Sequence, residues 1–419
     1  MRAMTVFVAA YLISASLLAA EPVARSARDC PVAGQEARSS LPVLARDLRS
    51  KNAFLPSSIG FDSDGLRGLQ TSGHTKGNII CRVPRGCIIV ANRHAKEMNK
   101  RPIDALSASL LQEVRLGQQS DHIAYIQSLP ESNDPSLTNI GGVWDDEQLE
   151  WLCHPPAAEK FRKLRSLRDA FIERNDNQDD NNEDDRCRSG WAYDLSSSRA
   201  LEGPFGRNGA VRSALLGTLA SFLAAFSPLL YLQDLSKMPF ESSIPLILSV
   251  VALVSTLTSD EVELGMLPWI DVANHKSTSS LHLGYDLLRD GIVLKGGAGS
   301  GNVEFDYGGR NGICNDKLLG EFGFVEVDNP NDILEVVVAG DIVVNFGRYG
   351  VVNKSAAEIS DDEILESARK ARCALVAGFS SQTSAPTDPI AVGRFKMASQ
   401  WRNEKIRLLD EYIHLYSCM

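Results

Sequence analysis

Residues 267–280 have the sequence LPWIDVANHKSTSS, residues 303–312 have the sequence VEFDYGGRNG, and these two stretches decide the fold. In the first, Asn274 and His275 follow an apolar run; in the second, Tyr307 ends a strand-like run beside two glycines. Because glycine permits close backbone approach and binding pockets are built around a few polar groups, the pair predicts a closely packed polar site. On the residues alone, local hydrogen bonding in a turn and an ordinary strand end remain alternatives.

No other chemistry competes with this site in the sequence. The chain has no GxSxG elbow, Walker loop, HExxH pair or kinase signature. The search for function therefore extends outward from the two stretches.

Six further segments surround the two stretches in a fixed order. They are DGLRGL at 64–69, KGNIICRVPRG at 76–86, LLQEVRLGQQSDHIAYIQSLPES at 110–132, Trp144 with DDEQLEWL at 145–152, WAYDLSSSRAL at 191–201 and FGFVEVDNPND at 322–332. This order resembles the SET-domain methyltransferases typified by the Rubisco large-subunit lysine methyltransferase, in which a helical insertion splits the SET core. The resemblance covers roughly residues 60–335. It implies an α+β fold with a β-rich SET core, a helical insertion and a short C-terminal helical region.

The resemblance also implies S-adenosylmethionine as cofactor and a set of residues around it. The implied cofactor-binding residues are Gly65, Leu66, Gly68, Arg199, Asn274, His275 and Phe324. The glycine turn would hold the methionine part, where a Cβ would clash, and the Arg199 guanidinium would pair with the carboxylate. Asn274 and His275 would bind through the chain crossing, His275 mainly through its backbone, and Phe324 would lie against the adenine. Tyr307 would be the catalytic residue, at the methyl-transfer channel.

Methyl transfer of this kind predicts a site without a metal. Displacement at a sulfonium methyl needs an in-line neutral amine, so the enzyme supplies position, a narrow apolar channel and oxygen dipoles. A lysine ammonium has no lone pair, and a desolvating channel favours loss of its proton.

Three local features depart from the family pattern. Lys276 follows the Asn-His pair where the family usually has a small residue. The spacing from Tyr307 to the Gly-Phe pair at 323–324 is about three residues longer than usual, with Asn315 rather than Asn311 in the expected place. An apolar insertion also replaces a short link before the Asn-His segment.

The resemblance implies the bounds of the SET domain and its insertion, and composition predicts the organisation of the rest of the chain. The predicted parts are a signal peptide or anchor at 1–20, a flexible leader at 21–55, a SET domain at 56–335 with a helical insertion at about 100–172, an acidic loop at 173–188 and an apolar hairpin at 213–259, and a largely helical C-terminal region at 336–419. The runs NIICRV and CIIVAN predict two hairpins between residues 60 and 95. Residues 358–377 and 396–416 predict helices with acidic first turns.

The apolar stretches at 213–233 and 242–259 admit two interpretations, a membrane hairpin or a buried helical pair. The first twenty residues have the layout of a secretory signal, although Leu18 is large for its place before a cut after Ala20. The arginine-containing stretch that follows fits either a transit-like leader or a secreted N-terminus. The predicted location is the secretory pathway or a plastid reached through it, with membrane association through 213–259 as the open question.

The net charge and the cysteine pattern argue against a nucleic-acid partner and a structural zinc site. The net charge of −10 and pI of about 5.3 give no global positive field to attract nucleic acid. The eight cysteines are scattered without a CxxC pair, which favours reduced thiols and no structural zinc.

The sequence therefore predicts an S-adenosylmethionine-dependent protein-lysine N-methyltransferase with a protein substrate. A protein-histidine methyltransferase and a catalytically inactive, membrane-tethered SET-like binding module are the alternatives, followed by a small-molecule transferase or unrelated β-rich scaffold. The presence of Tyr307 favours an active enzyme.

Overall fold

The structure, a computed structural model, describes most of the chain in separate ranges. These are residues 37–61, 67–72, 79–91, 101–176, 183–203, 263–286, 289–297, 300–308, 312–338, 342–354, 359–381 and 386–417. The predicted signal at 1–20 and the apolar hairpin at 213–259 lie outside these ranges. In the ranges just given, no helix combines the length and the apolar character needed to cross a membrane.

Helices form most of the predicted insertion and the C-terminal end. The long helices are α1 (Ala37–Ser50), α2 (Pro102–Leu116), α3 (Pro155–Asp176), α4 (Glu183–Arg199), α5 (Asp361–Ser381) and α6 (Pro389–Ser417). Short α-helices span Ile123–Ile126, Pro135–Thr138, Asp146–Glu150 and Asn315–Lys317; 3₁₀ turns span Arg85–Cys87, Gly117–Gln119, Gly141–Val143 and Ile270–Val272; a π-turn spans Leu318–Phe322.

Short strands form four small sheets. The strands are β1 (Ser58–Phe61), β2 (Arg67–Ser72), β3 (Ile79–Pro84), β4 (Ile89–Val90), β5 (Ala200–Gly203), β6 (Glu263–Met266), β7 (Asn274–His275), β8 (His282–Asp286), β9 (Gly291–Lys295), β10 (Ser300–Phe305), β11 (Ile333–Val338), β12 (Ile342–Gly347) and β13 (Gly350–Lys354). The sheet orders are β1-β2-β10-β7, β3-β9-β8, β4-β6-β5 and β11-β12-β13. Together with the helices they confirm the predicted α+β class.

The first of these sheets builds the site. Strand β10 pairs antiparallel with β2 and parallel with β7, so that Asn274 faces Glu304 and His275 faces Phe305. Because β10 ends two residues before Tyr307, this pairing brings the two stretches that decide the fold side by side.

The expectation of two hairpins between residues 60 and 95 is half wrong. Strands β1 and β2 form one antiparallel hairpin, but β3 pairs with β9 and β4 pairs with β6. Buried Ile80, Cys81 and Val83 on β3 need a partner strand that completes the core, and β9, with Ile292, Val293 and Leu294 all buried, supplies it. Apolar runs in one sequence neighbourhood do not specify which strand they join.

The described part of the predicted flexible leader is also ordered, so the leader does not extend to residue 55. Helix α1 buries Leu44, Ala45 and Leu48, which lie at helical spacing in its sequence. Its end is tied to the insertion, since the Lys51 ammonium donates to the Asp121 carbonyl at 2.6 Å.

The acidic loop at 173–188 is shorter than predicted. Helix α3 continues to Asp176 and α4 begins at Glu183, so only 177–182 separate them, outside the described residues. Arg174 stabilises the extra turn of α3 by donating to buried Asp104 at 2.7 Å. The ion pair between Arg174 and Asp104 therefore stabilises helix at the start of a segment for which composition predicts a solvated loop.

The C-terminal region begins with a sheet rather than a helix. Strands β11 to β13 cross the predicted domain boundary at 335, and the helices follow from 361. Helix α5 has the expected acidic first turn, but α6 does not; it begins at Pro389, where the Asp388 carboxylate accepts the Ala391 amide proton at 2.8 Å. The domain limits themselves remain predictions.

Two buried clusters hold these layers together. One combines the first three sheets with α1, α2 and α4 and includes Phe305. The other joins the helical insertion to β11, β12, α5 and α6 through Trp144, Phe161, Phe346 and Trp401. The C-terminal helix α6 also contacts the segment beside the candidate site, where Gln400 Nε2 donates to the Val325 carbonyl oxygen at 3.1 Å.

Candidate functional site

Tyr307 lies at the centre of the site, with its hydroxyl turned toward the Asn-His segment. The hydroxyl donates to the Ala273 carbonyl at 2.6 Å. Burial raises the pKa of Tyr307 well above its usual value, although the nearby charge of Arg199 opposes the rise. Tyr307 is therefore a neutral hydroxyl at physiological pH, and its oxygen keeps lone pairs that can accept a further hydrogen bond.

Aromatic rings surround Tyr307 on several sides. Ring centroids lie 4.9 Å away at Phe305, 5.2 Å at Phe322 and 5.0 Å at His275. Phe324 continues this wall, 5.9 Å from His275 and 6.4 Å from Phe322. Such a wall excludes water and presents apolar faces to whatever approaches the hydroxyl.

Arg199, at the end of α4, is held by the segment that precedes Asn274. Its Nη1 donates to the Asp271 carbonyl oxygen at 3.2 Å and lies 3.5 Å from Asp271 Oδ2. The same Oδ2 accepts the Tyr125 hydroxyl at 2.6 Å. Arg199 Nε and Asp271 Oδ1 are buried and have no hydrogen-bond partner among the described residues. A buried guanidinium with an unused donor suits a carboxylate ligand.

The backbone before Asn274 has an unusual local conformation. Trp269 has a φ of +75°, which is rare for a bulky residue, just before the 3₁₀ turn Ile270–Val272. Its indole is 4% exposed and donates from Nε1 to the Ser57 hydroxyl at 3.2 Å. Packing therefore holds the strained residue and directs Asp271 toward Arg199.

The presence of glycine at position 68 follows from a close contact with Asn274. A Cβ built at Gly68 would lie 3.0 Å from Asn274 Nδ2, closer than nearly all real Cβ contacts. A side chain at this position would fit only if the Asn274 amide shifted by a few tenths of an ångström, so the close passage of β2 beside Asn274 favours glycine. Gly65 and Leu66, predicted to act with Gly68, lie outside the described residues.

His275 has a fully buried side chain. Its Nδ1 accepts the Tyr307 amide proton at 3.2 Å, and its Nε2 lies 3.3 Å from Glu326 Oε2. The imidazole thus connects the backbone of Tyr307 to a carboxylate from the segment that carries Phe324.

Two of the three departures from the family pattern have simple structural accounts, and the third, the apolar insertion, lies outside the described residues. Lys276 is half exposed and pairs with Glu304 at 3.3 Å, so its size costs the core nothing. Asn315 is fully buried and binds the backbone of Glu326 from both sides, accepting from its amide and donating to its carbonyl at 3.0 Å each.

The structure thus brings together Gly68, Arg199, Asn274, His275, Tyr307 and Phe324, all the predicted site residues that it describes. Their roles remain predictions. Sequence reasoning missed Tyr125, Asp271, Phe322 and Glu326 as parts of the same arrangement. Asp271 lies in the segment 267–280 and Glu326 in the segment 322–332, but the residues that they contact are distant in sequence.

Across the described ranges, no group of three or more histidine, cysteine or acidic side chains is arranged to hold a metal ion.

Comparison with known proteins connects the fold to solved structures. No protein-family profile and no curated protein sequence matches the chain. A crystal structure of the SET domain of LSMT bound to lysine and AdoHcy superposes with a TM-score of 0.54 at 12% identity, covering 92% of each chain. Rubisco LSMT bound to sinefungin and monomethyllysine gives 0.54 at 13% identity, and Rubisco LSMT bound to AdoMet gives 0.51 at 14%, each covering 90% of this chain and 92% of the other. This protein therefore has the SET-domain fold of the Rubisco LSMT structures.

Proposed function

We propose that this protein is an S-adenosylmethionine-dependent protein-lysine N-methyltransferase with Tyr307 at the transfer channel. The observation that carries the proposal is the position of the Tyr307 hydroxyl, which donates to the Ala273 carbonyl oxygen and is surrounded by aromatic rings in a protein with the SET fold. The structures of similar fold hold lysine or methyllysine with AdoHcy or sinefungin, which supports lysine as the acceptor.

The described residues fit the cofactor. Arg199, with a buried Nε that lacks a partner among the described residues, would bind the carboxylate, and Gly68 lets strand β2 pass close to the Asn274 amide. Phe324 offers an aromatic face for the adenine. When bound, S-adenosylmethionine supplies a sulfonium methyl group that a neutral amine can displace.

Tyr307 then acts as an orienting acceptor rather than as a base. Because its O–H donates a hydrogen bond to the Ala273 carbonyl oxygen, the Tyr307 hydroxyl oxygen presents lone pairs to an N–H of the incoming amine. Its raised pKa keeps it neutral, so it has no charge to trap an ammonium. The aromatic wall removes water around the amine, which favours the neutral form that carries the lone pair.

The proposal is tested with the full chain, tritiated S-adenosylmethionine and an extract of the source cells. Labelled proteins are hydrolysed, and the labelled amino acid is identified by chromatography. We expect methyllysine. Tyr307→Phe should lower the rate about 100-fold, since misorientation of a reacting group costs that order, while leaving S-adenosylhomocysteine affinity near wild type by calorimetry.

Tyr349→Phe is the matched control, because Tyr349 is 86% exposed on the turn between β12 and β13. It should keep the wild-type rate. Labelling that is absent, or equal in wild type and Tyr307→Phe, would overturn the lysine-transfer proposal. Label recovered as methylhistidine would replace lysine by histidine as the acceptor.

A further inference from the structure

The His275 imidazole has a defined protonation pattern that follows from its surroundings. Its Nδ1 accepts the amide proton of Tyr307 at 3.2 Å, so Nδ1 carries no proton of its own. A neutral ring must then carry its proton on Nε2. The nearby Asp306 carboxylate does not compete, because it lies 3.9 Å from Nδ1 and accepts from the Gly308 amide.

The Glu326 carboxylate faces the protonated side of this ring. Glu326 Oε2 lies 3.3 Å from His275 Nε2, at ion-pair distance, and both atoms are buried and have no hydrogen-bond partner among the described residues. The other oxygen, Oε1, accepts from both the amide and the hydroxyl of Ser277 at 3.0 Å. The carboxylate is therefore bound to the loop that follows the ring through Oε1, while Oε2 faces the ring nitrogen.

The charge state of Glu326 agrees with this geometry. Burial alone would raise the pKa of Glu326, but the contact with His275 and the hydrogen bonds from Ser277 outweigh it and hold the pKa below its usual value. Glu326 is thus a carboxylate acceptor at neutral pH.

The backbone of Glu326 is fixed independently of its side chain. The Asn315 amide group bonds both its N–H and its carbonyl at 3.0 Å. Asn315 is in turn bound to buried Asp332, whose carboxylate accepts the backbone amide proton of Asn315 at 2.8 Å. The carboxylate is therefore presented to His275 by a rigid support rather than by a mobile loop.

We propose that Glu326 is a positioning residue for methyl transfer: its carboxylate holds His275 with the proton on Nε2, and the ring in turn fixes the backbone of Tyr307. This inference rests on the proposed function of Tyr307. Without the acceptor, the ring is free to turn or to take the other tautomer. Either change breaks the bond to the Tyr307 amide and lets the hydroxyl leave its place at Ala273.

The test compares Glu326→Met, which removes the acceptor at similar size, with Glu326→Gln, which keeps an acceptor oxygen. Glu304→Gln is the matched control, because Glu304 pairs with exposed Lys276 and its carboxylate contacts neither His275 nor Tyr307 in the described structure. Folding is checked first by thermal unfolding. If Glu326→Met does not fold, Glu326→Asp replaces it, since its carboxylate is withdrawn by one methylene.

We expect kcat to fall about 100-fold in Glu326→Met, as for a group displaced by about 1 Å, with KM and S-adenosylhomocysteine affinity changed less than about 3-fold. Glu326→Gln should keep at least about 10-fold more activity than Glu326→Met. Glu304→Gln should match wild type. A wild-type kcat in Glu326→Met, or equal losses in the Met and Gln variants, would overturn the inference.

A second readout does not depend on activity. In ¹⁵N-histidine-labelled protein, the nitrogen shifts of His275, assigned by their loss in His275→Asn, should report the Nε2-protonated tautomer in wild type and a changed state in Glu326→Met. An Nδ1-protonated ring in wild type would refute the positioning role. A chain with the expected tautomer but no methyl transfer would instead refute the proposed function.

Discussion

Replacing Lys405 by methionine should destabilise the protein strongly, although Lys405 is far from Tyr307 in sequence. The Lys405 ammonium is fully buried between α6 and the segment after the site. It donates to Asp332 Oδ1 at 2.6 Å and to the Ile333 carbonyl at 2.7 Å, and lies 2.9 Å from Asp316 Oδ1. All three protons of the ammonium therefore have oxygen partners, so an apolar side chain of similar size would leave these oxygens without the ammonium.

The size of the effect follows from what is left behind. Removing one partner of a buried ion pair typically costs about 3–5 kcal/mol, because the other charge stays buried without compensation. Asp332 keeps hydrogen bonds from the Asn315 amide, the Asn315 side chain and the Ile333 amide. We therefore expect the lower end, a loss of about 3 kcal/mol in the free energy of unfolding.

Lys160→Met provides the matched control. Lys160 also pairs with Asp316, at 3.2 Å, and with Glu335 at 3.1 Å, but its side chain is 45% exposed. An exposed pair is worth about 1 kcal/mol or less, so the same substitution should cost little here. The two variants differ in burial while sharing a partner carboxylate.

Urea unfolding followed by tryptophan fluorescence and by circular dichroism measures both variants against wild type. A loss in Lys405→Met no larger than in Lys160→Met would refute the argument that burial decides the cost. Adding Asp332→Asn to Lys405→Met should restore part of the stability, because it removes the fully buried Asp332 charge and leaves only Asp316, which still pairs with Lys160 at 3.2 Å.

Two further predictions concern the glycine turn and acid stability. Gly68→Ala should push the Asn274 side chain away by a few tenths of an ångström and weaken S-adenosylhomocysteine binding about 10-fold, as measured by calorimetry. Gly86→Ala is the control, because a Cβ at Gly86 would meet nothing within 4 Å, and it should bind like wild type. Equal affinities in all three proteins would contradict the role of the close approach. Burial alone would raise the pKa of Asp316, but nearby lysine ammonium groups, chiefly that of Lys405, outweigh it and lower the pKa from 3.8 to about 2. Its stabilising contribution, about 2 kcal/mol, is therefore present above about pH 4 and lost as pH falls toward about 2; Asp316→Asn should unfold with a correspondingly weaker acid dependence in urea titrations, and an unchanged dependence would assign acid sensitivity to other carboxylates.

The sequence predicts the parts of the site that lie on short, distinctive segments. The stretches at 267–280 and 303–312 are adjacent in the sheet, as their resemblance to SET domains implies, because β7 and β10 pair directly. The predicted α+β architecture and helical insertion follow from the same ordered segments. Apolar periodicity also predicts α5 and α6 to within a few residues of one end.

The rest could not be predicted because it depends on contacts between distant segments. Tyr125 meets Asp271 across 146 positions, and β3 meets β9 rather than its sequence neighbour β4. Nothing in the local pattern of either segment names its partner. The error at the leader has a different cause: arginines and serines on α1 hide a narrow apolar stripe at residues 44, 45 and 48.

The longer spacing after Tyr307 shows how the site tolerates a local departure from the family pattern. Gly312, with a φ of +65°, lies within the longer segment, in a left-handed conformation that glycine adopts readily. Asn315 then binds both backbone groups of Glu326, and Asp332 with Lys405 fixes Asn315. Because these bonds join α6 to the backbone beside Phe324, the C-terminal helix, rather than the spacing of the motif, sets where this wall of the site lies. An asparagine that lies later in the chain than in the family pattern can therefore support the same arrangement, since what the site requires is a buried amide between Glu326 and Asp332.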